Sequence, residues 1–103
     1  MKYDPIQIFS RFVKETPEVF RIVGLRKPSK KHIDEFRNGT RSLWGMMTFV
    51  LYDIQNGVLE NMPDTYNMNR LWQNYLRKYG YYDRFYYNGK RNHYVICRRK
   101  TKC

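Results

Sequence analysis

YYDRFYYNGKRNHYVICRRK, residues 81–100, contains the strongest local fold signal in this 103-residue chain. At its centre, Asn88-Gly89 suits the positive φ angles that both central positions of a two-residue type I′ turn require. Pairing the flanking residues around that turn sets Phe85 opposite Asn92 and Asp83 opposite Tyr94. The stretch therefore predicts an antiparallel β-hairpin at the C-terminal end of the chain.

This pairing divides the hairpin side chains between two faces, because neighbouring residues of a strand point to opposite sides. One face is mainly aromatic and aliphatic, and we expect it to pack on the rest of the domain. Its members are Tyr81, Asp83, Phe85, Tyr87, Lys90, Asn92, Tyr94 and Ile96. The other face carries Tyr82, Arg84, Tyr86, Arg91, His93 and Val95. Cations beside aromatic rings suit either phosphate groups or the hot spot of a protein interface.

Four segments upstream of the hairpin carry helix signals, which are capping residues, prolines, apolar periodicity and terminal glycines. The predicted helices run from Asp4-Pro5 to about Glu15, from Ser29 to Asn38-Gly39, from Ser42 to Asn56-Gly57 and from Pro63-Asp64 to Gly80. The segment VFRIVGL, residues 19–25, fits either a short strand or a helical turn. The predicted fold class is α+β, a small helical domain with a C-terminal antiparallel hairpin, in a single domain over residues 1–103.

The net charge of +11 is concentrated in the C-terminal third. Residues 1–64 hold ten Lys or Arg and eight Asp or Glu, whereas residues 65–103 hold ten Lys or Arg and only Asp83. Such an uneven field attracts polyanions to one end of a molecule. We therefore expect a nucleic acid as the partner, with duplex DNA ahead of RNA.

The last predicted helix has an apolar face and a face of amides and arginines. Asn, Gln and Arg make bidentate hydrogen bonds to adenine and guanine in a major groove, and Lys and Arg neutralise phosphates. The candidate nucleic-acid-binding residues are Asn69, Arg70, Gln73, Asn74, Arg77, Lys78, Arg84, Tyr86, Lys90, Arg91, Arg98 and Arg99. An ordinary solvated helix face with tyrosines packed across the strands is the alternative interpretation of these residues.

The order of helices, then a polar helix, then a hairpin resembles that of winged-helix DNA-binding domains over about residues 42–99. The resemblance implies that the last helix reads a major groove while the hairpin acts as the wing. Val58-Leu59 would supply the short strand that some winged domains insert before the last helix. The connection from Gln55 to Asp64 is longer than the roughly three or four residues of a helix-turn-helix.

Two other functions remain open at the level of sequence. The chain contains no alanine and is rich in Asn, Lys and Tyr, a bias that suits an AT-rich viral or phage gene. A virus-encoded protein of this kind would bind and inhibit a host protein. Arg84, Tyr86, Arg91 and His93 would instead suit a metal-free ribonuclease of the mRNA-interferase type, in which they activate a 2′-OH and stabilise a phosphorane.

We expect no cofactor, no metal and no catalytic residue outside that ribonuclease alternative. His32 and His93 lack the Cys, Asp or Glu pattern of a zinc site, and no Gly-rich phosphate loop occurs. Cys97 and Cys103 are expected to be reduced thiols. No apolar run reaches the roughly 18 residues of a membrane span, and the stretch MKYDPIQIF has no signal-peptide pattern because Asp4-Pro5 interrupts it. We therefore expect a protein in the cytoplasm, or inside a host cell.

Overall fold

The computed structural model describes residues 2–17, 27–52, 65–87 and 91–99. Over these ranges the chain forms four helices and a three-stranded antiparallel sheet, which confirms the predicted α+β class. The elements are β1 Lys2–Tyr3, α1 Pro5–Glu15, α2 Lys30–Arg37, α3 Leu43–Tyr52, α4 Thr65–Lys78, β2 Tyr81–Tyr86 and β3 His93–Arg98. Several predicted features lie outside the described residues, namely VFRIVGL, Asn56-Gly57, Val58-Leu59, Pro63-Asp64, Asn88-Gly89 and Lys90.

Side-chain caps define the beginnings of three helices, as the sequence predicts. The Asp4 carboxylate accepts a hydrogen bond from the Ile6 N–H at 3.2 Å, and Ser29 caps α2 in the same way. The Ser42 hydroxyl accepts from the Gly45 N–H at 3.0 Å at the start of α3. Each bond satisfies a backbone donor that the first turn of a helix leaves without an intrahelical partner.

Two glycines in the left-handed region mark helix ends at the predicted positions. Gly39 has a φ of 81° after α2, and Gly80 has a φ of 76° after α4. At Gly39 a close approach adds a second requirement, because an added Cβ would lie 1.7 Å from Cε2 of Phe85. The ring of Phe85 on β2 therefore packs directly against the turn after α2.

The sheet has the order β1-β3-β2, so that β3 is its central strand. Phe85 pairs with Tyr94 and Asp83 pairs with Ile96, so the predicted partner of Phe85, Asn92, is wrong by two residues. A shift of two keeps the described strand residues on their predicted faces, whereas a shift of one would exchange the faces. The predicted register assumed that a two-residue turn sets the pairing.

The sequence did not indicate β1, which pairs with β3 through Lys2–Cys97 and Tyr3–Ile96. Two residues are too few for a periodic strand signal, and their partner strand lies at the other end of the chain. The pairing places Lys2 on the outer face of the sheet and Tyr3 on the inner face, where its ring centroid is 5.1 Å from that of Tyr81.

The hydrophobic core lies between the inner face of the sheet and the helices. All four helices, β2 and β3 supply its buried side chains, which are Ile8, Phe9, Phe12, Val13, Phe36, Leu43, Met46, Met47, Met68, Trp72, Tyr75, Leu76, Tyr81 and Ile96. The apolar stripes predicted on α3 and α4 thus face inward over their described residues. On α3, Trp44 is an exception, because it is 37% exposed.

Cys97 on the central strand is fully buried and disulfide-bonded, which corrects the expectation of a reduced thiol. Cys103 is the only other cysteine in the sequence. Two cysteines do not form a recognisable framework pattern, so the sequence did not indicate this bond. Within the described ranges, no helix combines the length and the apolarity that crossing a bilayer requires.

Candidate nucleic-acid interface

All described lysines and arginines of the C-terminal third are exposed. They come from α4, from the hairpin and from the end of β3, and they are Arg70, Arg77, Lys78, Arg84, Arg91, Arg98 and Arg99. We call this set the basic surface. Each of the seven was a candidate binding residue in the sequence, and Lys90, the remaining cationic candidate, lies outside the described residues.

Asp83, the only carboxylate of residues 65–103, lies on the inner face of the sheet. Its Oδ2 accepts hydrogen bonds from the Tyr94 hydroxyl at 2.7 Å and from Gln73 Nε2 at 3.1 Å. The Tyr94 oxygen in turn accepts from Trp72 Nε1 at 3.2 Å. Burial and the nearby Asp83 charge raise the pKa of Tyr94, so its hydroxyl stays protonated and keeps donating. The one negative charge of this region is therefore held among neutral donors, away from the outer face of the sheet.

The polar face of α4 is assembled mostly as the sequence predicts. Asn69, Arg70, Asn74 and Arg77 are exposed, and the Asn74 Oδ1 accepts from Arg77 Nη2 at 2.9 Å. Gln73 differs from them because it is half-buried and its amide donates to a carboxylate of the protein itself. Gln73 therefore takes part in the contact between α4 and β2.

The outer face of the sheet is centred on Tyr86. The Tyr86 ring stacks on His93 with centroids 4.9 Å apart and an interplanar angle of 20°. The Arg84 guanidinium lies 5.8 Å and the Lys2 ammonium 5.3 Å from the Tyr86 ring centroid. The negative face of an aromatic ring attracts such cations. The sequence did not indicate Lys2, because it reaches this face only through the pairing of β1 with β3.

A second cluster, the α4–β2 corner, gathers cations around two tyrosines. The Arg11 guanidinium lies 5.3 Å and the Lys78 ammonium 5.4 Å from the ring centroid of Tyr79. The Arg98 guanidinium lies 5.5 Å from the ring centroid of Tyr81. Burial raises the pKa of Tyr81, but hydrogen bonds from Arg98 and Arg11 outweigh it, and the resulting pKa is lowered. Arg11 thus adds an exposed cation of α1 that the sequence analysis did not select.

Glu15 fixes the tyrosines of this corner from the side of α1. Its carboxylate accepts hydrogen bonds from the hydroxyls of Tyr75 and Tyr79, the second at 2.7 Å. The bond from Tyr75, followed by that from Tyr79, lowers the pKa of Glu15, and the charges of Arg11 and Lys78 act in the same direction. The carboxylate is therefore ionised at neutral pH and offsets part of the positive charge of the corner.

The side chains considered for a ribonuclease are partly assembled. Arg84, Tyr86 and His93 share the outer face, and His93 Nδ1 lies 3.3 Å from the backbone oxygen of Arg91. Among the described residues, no three His, Cys, Asp or Glu side chains lie close enough together to hold a metal ion. A metal-free mechanism on this face stays a hypothesis from the sequence.

Comparison of the chain with protein-family models, with curated proteins and with solved structures finds no match. The confirmed part of the fold prediction is the α+β class with four helices and an antiparallel sheet over the described residues. The winged-helix-like arrangement stays a prediction. Function is therefore inferred from the chemistry of the surfaces described above.

Proposed function

We propose that this protein binds nucleic acid through its basic surface, extended by Lys2 and Arg11. The observation that carries the proposal is the asymmetry of exposed charge. All seven described cations of the C-terminal third are exposed, while its single carboxylate lies on the inner face of the sheet. A cation that contacts a phosphate releases a condensed counterion, which favours association at low and moderate salt.

A general solubility role explains this surface less well. Surfaces that only keep a small domain in solution usually mix charges of both signs. On the outer face of the sheet, Arg84 and Lys2 approach the ring of Tyr86, which orients them, and neither forms an ion pair with a carboxylate of the described residues. Oriented cations without a neutralising partner are suited to phosphate oxygens along a strand.

Duplex DNA is the target that we infer first. Arg70 and Asn74 lie one turn apart on the exposed face of α4, where they suit the base edges of neighbouring pairs in a major groove. The cations of the hairpin and of the α4–β2 corner would contact phosphates on either side. In this arrangement α4 reads the sequence, while the hairpin holds the backbone as a wing does.

A salt titration tests the proposal. If about six phosphates are contacted, affinity for a duplex should fall by roughly a thousandfold between about 50 and 200 mM salt. An affinity that does not change with salt concentration would contradict the proposal, and so would the absence of DNA and RNA binding at low salt. A pull-down from a native lysate that recovers a host protein without nucleic acid would favour the inhibitor alternative.

Matched variants separate reading from holding. Arg70→Ala should cost about 1–3 kcal/mol on a preferred site and reduce the preference for it. Arg91→Ala should weaken all sequences alike and reduce the salt slope by about one. Arg37→Ala is the control, because Arg37 is also exposed but donates to Asp4, with Nη2 2.6 Å from Oδ2. Its loss should leave the salt slope unchanged.

A second candidate target is single-stranded nucleic acid, favoured by the stacked rings of Tyr86 and His93 beside two cations. Aromatic platforms of this kind bind bases with little dependence on sequence. Tyr86→Ala should then abolish single-strand binding, while Arg70→Ala leaves it intact. RNA cleavage that disappears in His93→Ala would instead support the ribonuclease alternative.

A further inference from the structure

A cavity of about 260 Å³ lies between the turn after α2, the helix α4 and the hairpin. Its aromatic walls include Trp72, Phe85 and Tyr94, and its polar lining includes Arg41, Asn69 and Asp83. Pockets for drug-sized ligands measure roughly 300–1,000 Å³, so this cavity suits a guest about as large as one heterocyclic ring system.

Asp83 is preorganised as a hydrogen-bond acceptor at this cavity. Tyr94 and Gln73 both donate to its Oδ2, which fixes the carboxylate and occupies that oxygen. Within the described part of the chain, no side chain or backbone group donates to its Oδ1. The negative charge of Asp83 weakens the attraction of the basic region for phosphate, so phosphate binding does not explain why this residue is there. Accepting a hydrogen bond from an N–H group of a ligand would give Asp83 a role that the cations of the basic surface cannot perform.

The remaining lining decides between two kinds of guest. Aromatic walls with a carboxylate would in principle suit an organic cation. The surrounding C-terminal third carries a large positive charge, however, so a cationic guest would be repelled. A neutral planar heterocycle avoids this repulsion. Aromatic walls can stack on its faces while its polar edge meets the Asp83 carboxylate and the amide of Asn69.

We propose that this cavity binds an unpaired nucleobase, with guanine preferred. Guanine carries N–H donors beside a carbonyl oxygen, so one edge can donate to Asp83 and accept from Asn69 or Arg41. The inference rests on the proposed nucleic-acid binding for the source of the base, but it uses a different site. Neither Asp83 nor Asn69 contributes to the basic surface, so binding of a base in the cavity and binding of phosphates can fail separately.

Trp72 provides the direct readout, since its ring lines the cavity and is 2% exposed. In a Trp44→Phe background it is the only tryptophan. The protein is titrated with guanosine, adenosine, cytidine and uridine monophosphates while the fluorescence of Trp72 is followed. Guanosine monophosphate should quench this fluorescence and should bind at least tenfold tighter than uridine monophosphate. A duplex with one bulged guanine should likewise bind about tenfold tighter than the fully paired duplex.

Two variants test the assigned contacts, and a third serves as the control. Asp83→Asn and Asn69→Ala should each remove the guanine preference and the bulge preference. Asn69 is exposed on a helix, so Asn69→Ala keeps the test decisive if Asp83→Asn folds poorly. Gln7→Ala deletes an exposed amide on α1, outside the cavity lining, and should leave both preferences unchanged.

The outcomes separate this inference from the proposed function. Equal binding of all four nucleotides, or no quenching of Trp72, overturns the base site even if salt-dependent duplex binding remains. A guanine preference without any binding of DNA or RNA supports the cavity as a base site and overturns the proposed function. If free nucleotides quench Trp72 but the bulged duplex binds no tighter than the paired duplex, the inference that the cavity takes an unpaired base of a nucleic acid is overturned. The ligand would then be a free nucleotide.

Discussion

Residues 1–64, the near-neutral part of the molecule, and residues 65–103, its basic C-terminal third, use their arginines differently. In the near-neutral part, carboxylates pair with two of them, Arg37 and Arg41. Arg37 Nη2 lies 2.6 Å from Asp4 Oδ2, and Arg41 Nη2 lies 3.3 Å from Glu35 Oε2. The first bond joins α2 to the N-terminal cap of α1, and the second joins α2 to the turn that follows it.

In the C-terminal third, arginines meet aromatic rings, amides and backbone oxygens instead. Arg84 lies over Tyr86, and Arg77 donates to Asn74. Arg99 Nε donates to the backbone oxygen of Tyr81 at 3.1 Å. A ring or a neutral oxygen orients a guanidinium without cancelling its charge. The comparison shows that arginine forms ion pairs within the fold in one region and presents its positive charge to solvent in the other.

The largest expected effect concerns the contact that joins the two parts. Gly39→Ala should lower the free energy of unfolding by about 3 kcal/mol, because the new Cβ would overlap the ring of Phe85 and the backbone has a positive φ. Urea denaturation measures the change. Gly80→Ala is the control, since it shares the positive φ but meets nothing within 4 Å, and about 1 kcal/mol is expected. Equal losses in the two variants would show that the Phe85 contact does not hold the parts together.

The next effect concerns the inward carboxylate of the basic third. Tyr94→Phe should cost about 2 kcal/mol, because it removes the 2.7 Å donor to Asp83 and leaves Trp72 Nε1 without its acceptor. Tyr87→Phe removes a hydroxyl from a side chain that is 83% exposed and should change stability by less than about 0.5 kcal/mol. Indistinguishable unfolding midpoints would mean that Asp83 is not held by this network.

A smaller, pH-dependent effect is expected in the near-neutral part. The hydrogen bond from Arg37 lowers the pKa of Asp4. Its stabilisation is therefore complete above the unfolded pKa of about 4 and is lost as the pH falls through the lower folded value. Asp4→Asn keeps a capping side chain but loses the ion pair, and should cost less than about 1 kcal/mol at neutral pH. Thermal or urea unfolding at several pH values should show wild type and variant converging in acid, and a difference that persists there would contradict the ion-pair origin.

The smallest effect is spectroscopic and concerns the α4–β2 corner. Arg98→Gln should raise the pKa of Tyr81, because a hydrogen bond and a positive charge that favour the tyrosinate are removed. Ultraviolet titration of tyrosinate, compared with a Tyr81→Phe reference, follows this group. Arg91→Gln, at the opposite end of the hairpin, should leave the pKa of Tyr81 unchanged. If both variants shift it equally, the general field of the basic region, and not the contact with Arg98, controls the pKa.

Much of the fold was predictable because its signals act over a few residues. Asp4 and Ser29 cap their helices, and Gly39 and Gly80 end theirs, all at the predicted positions. The assignment of the described strand residues to two faces was also correct, because the register error of two residues is even and leaves the faces unchanged. The register itself was wrong, since it was taken from a local turn signal.

The candidate site was predictable only as a list of residues. Composition alone indicated the basic third, and exposure of its described cations follows from the cost of burying charge. The sequence could not show which of the two amides on α4, Asn69 or Gln73, stays exposed. Both are amides on the polar face of the predicted helix, but of these two it is Gln73 that donates to Asp83. The sequence did not indicate Lys2 and Arg11 as part of the site, because each is far along the chain from the tyrosine that it contacts.

By itself, then, the sequence determined the helices, the hairpin faces and the location of the charge. Each of these depends on dihedral preferences, caps, periodicity or composition, which act within a residue or its near neighbours. Only the tertiary structure decided the strand register and the pairing of β1. It also decided the hydrogen bond from Tyr94 to Asp83 on the inner face and the cavity beside it. These depend on packing between residues that are distant in sequence, and their free energy exists only once the chain has brought them together.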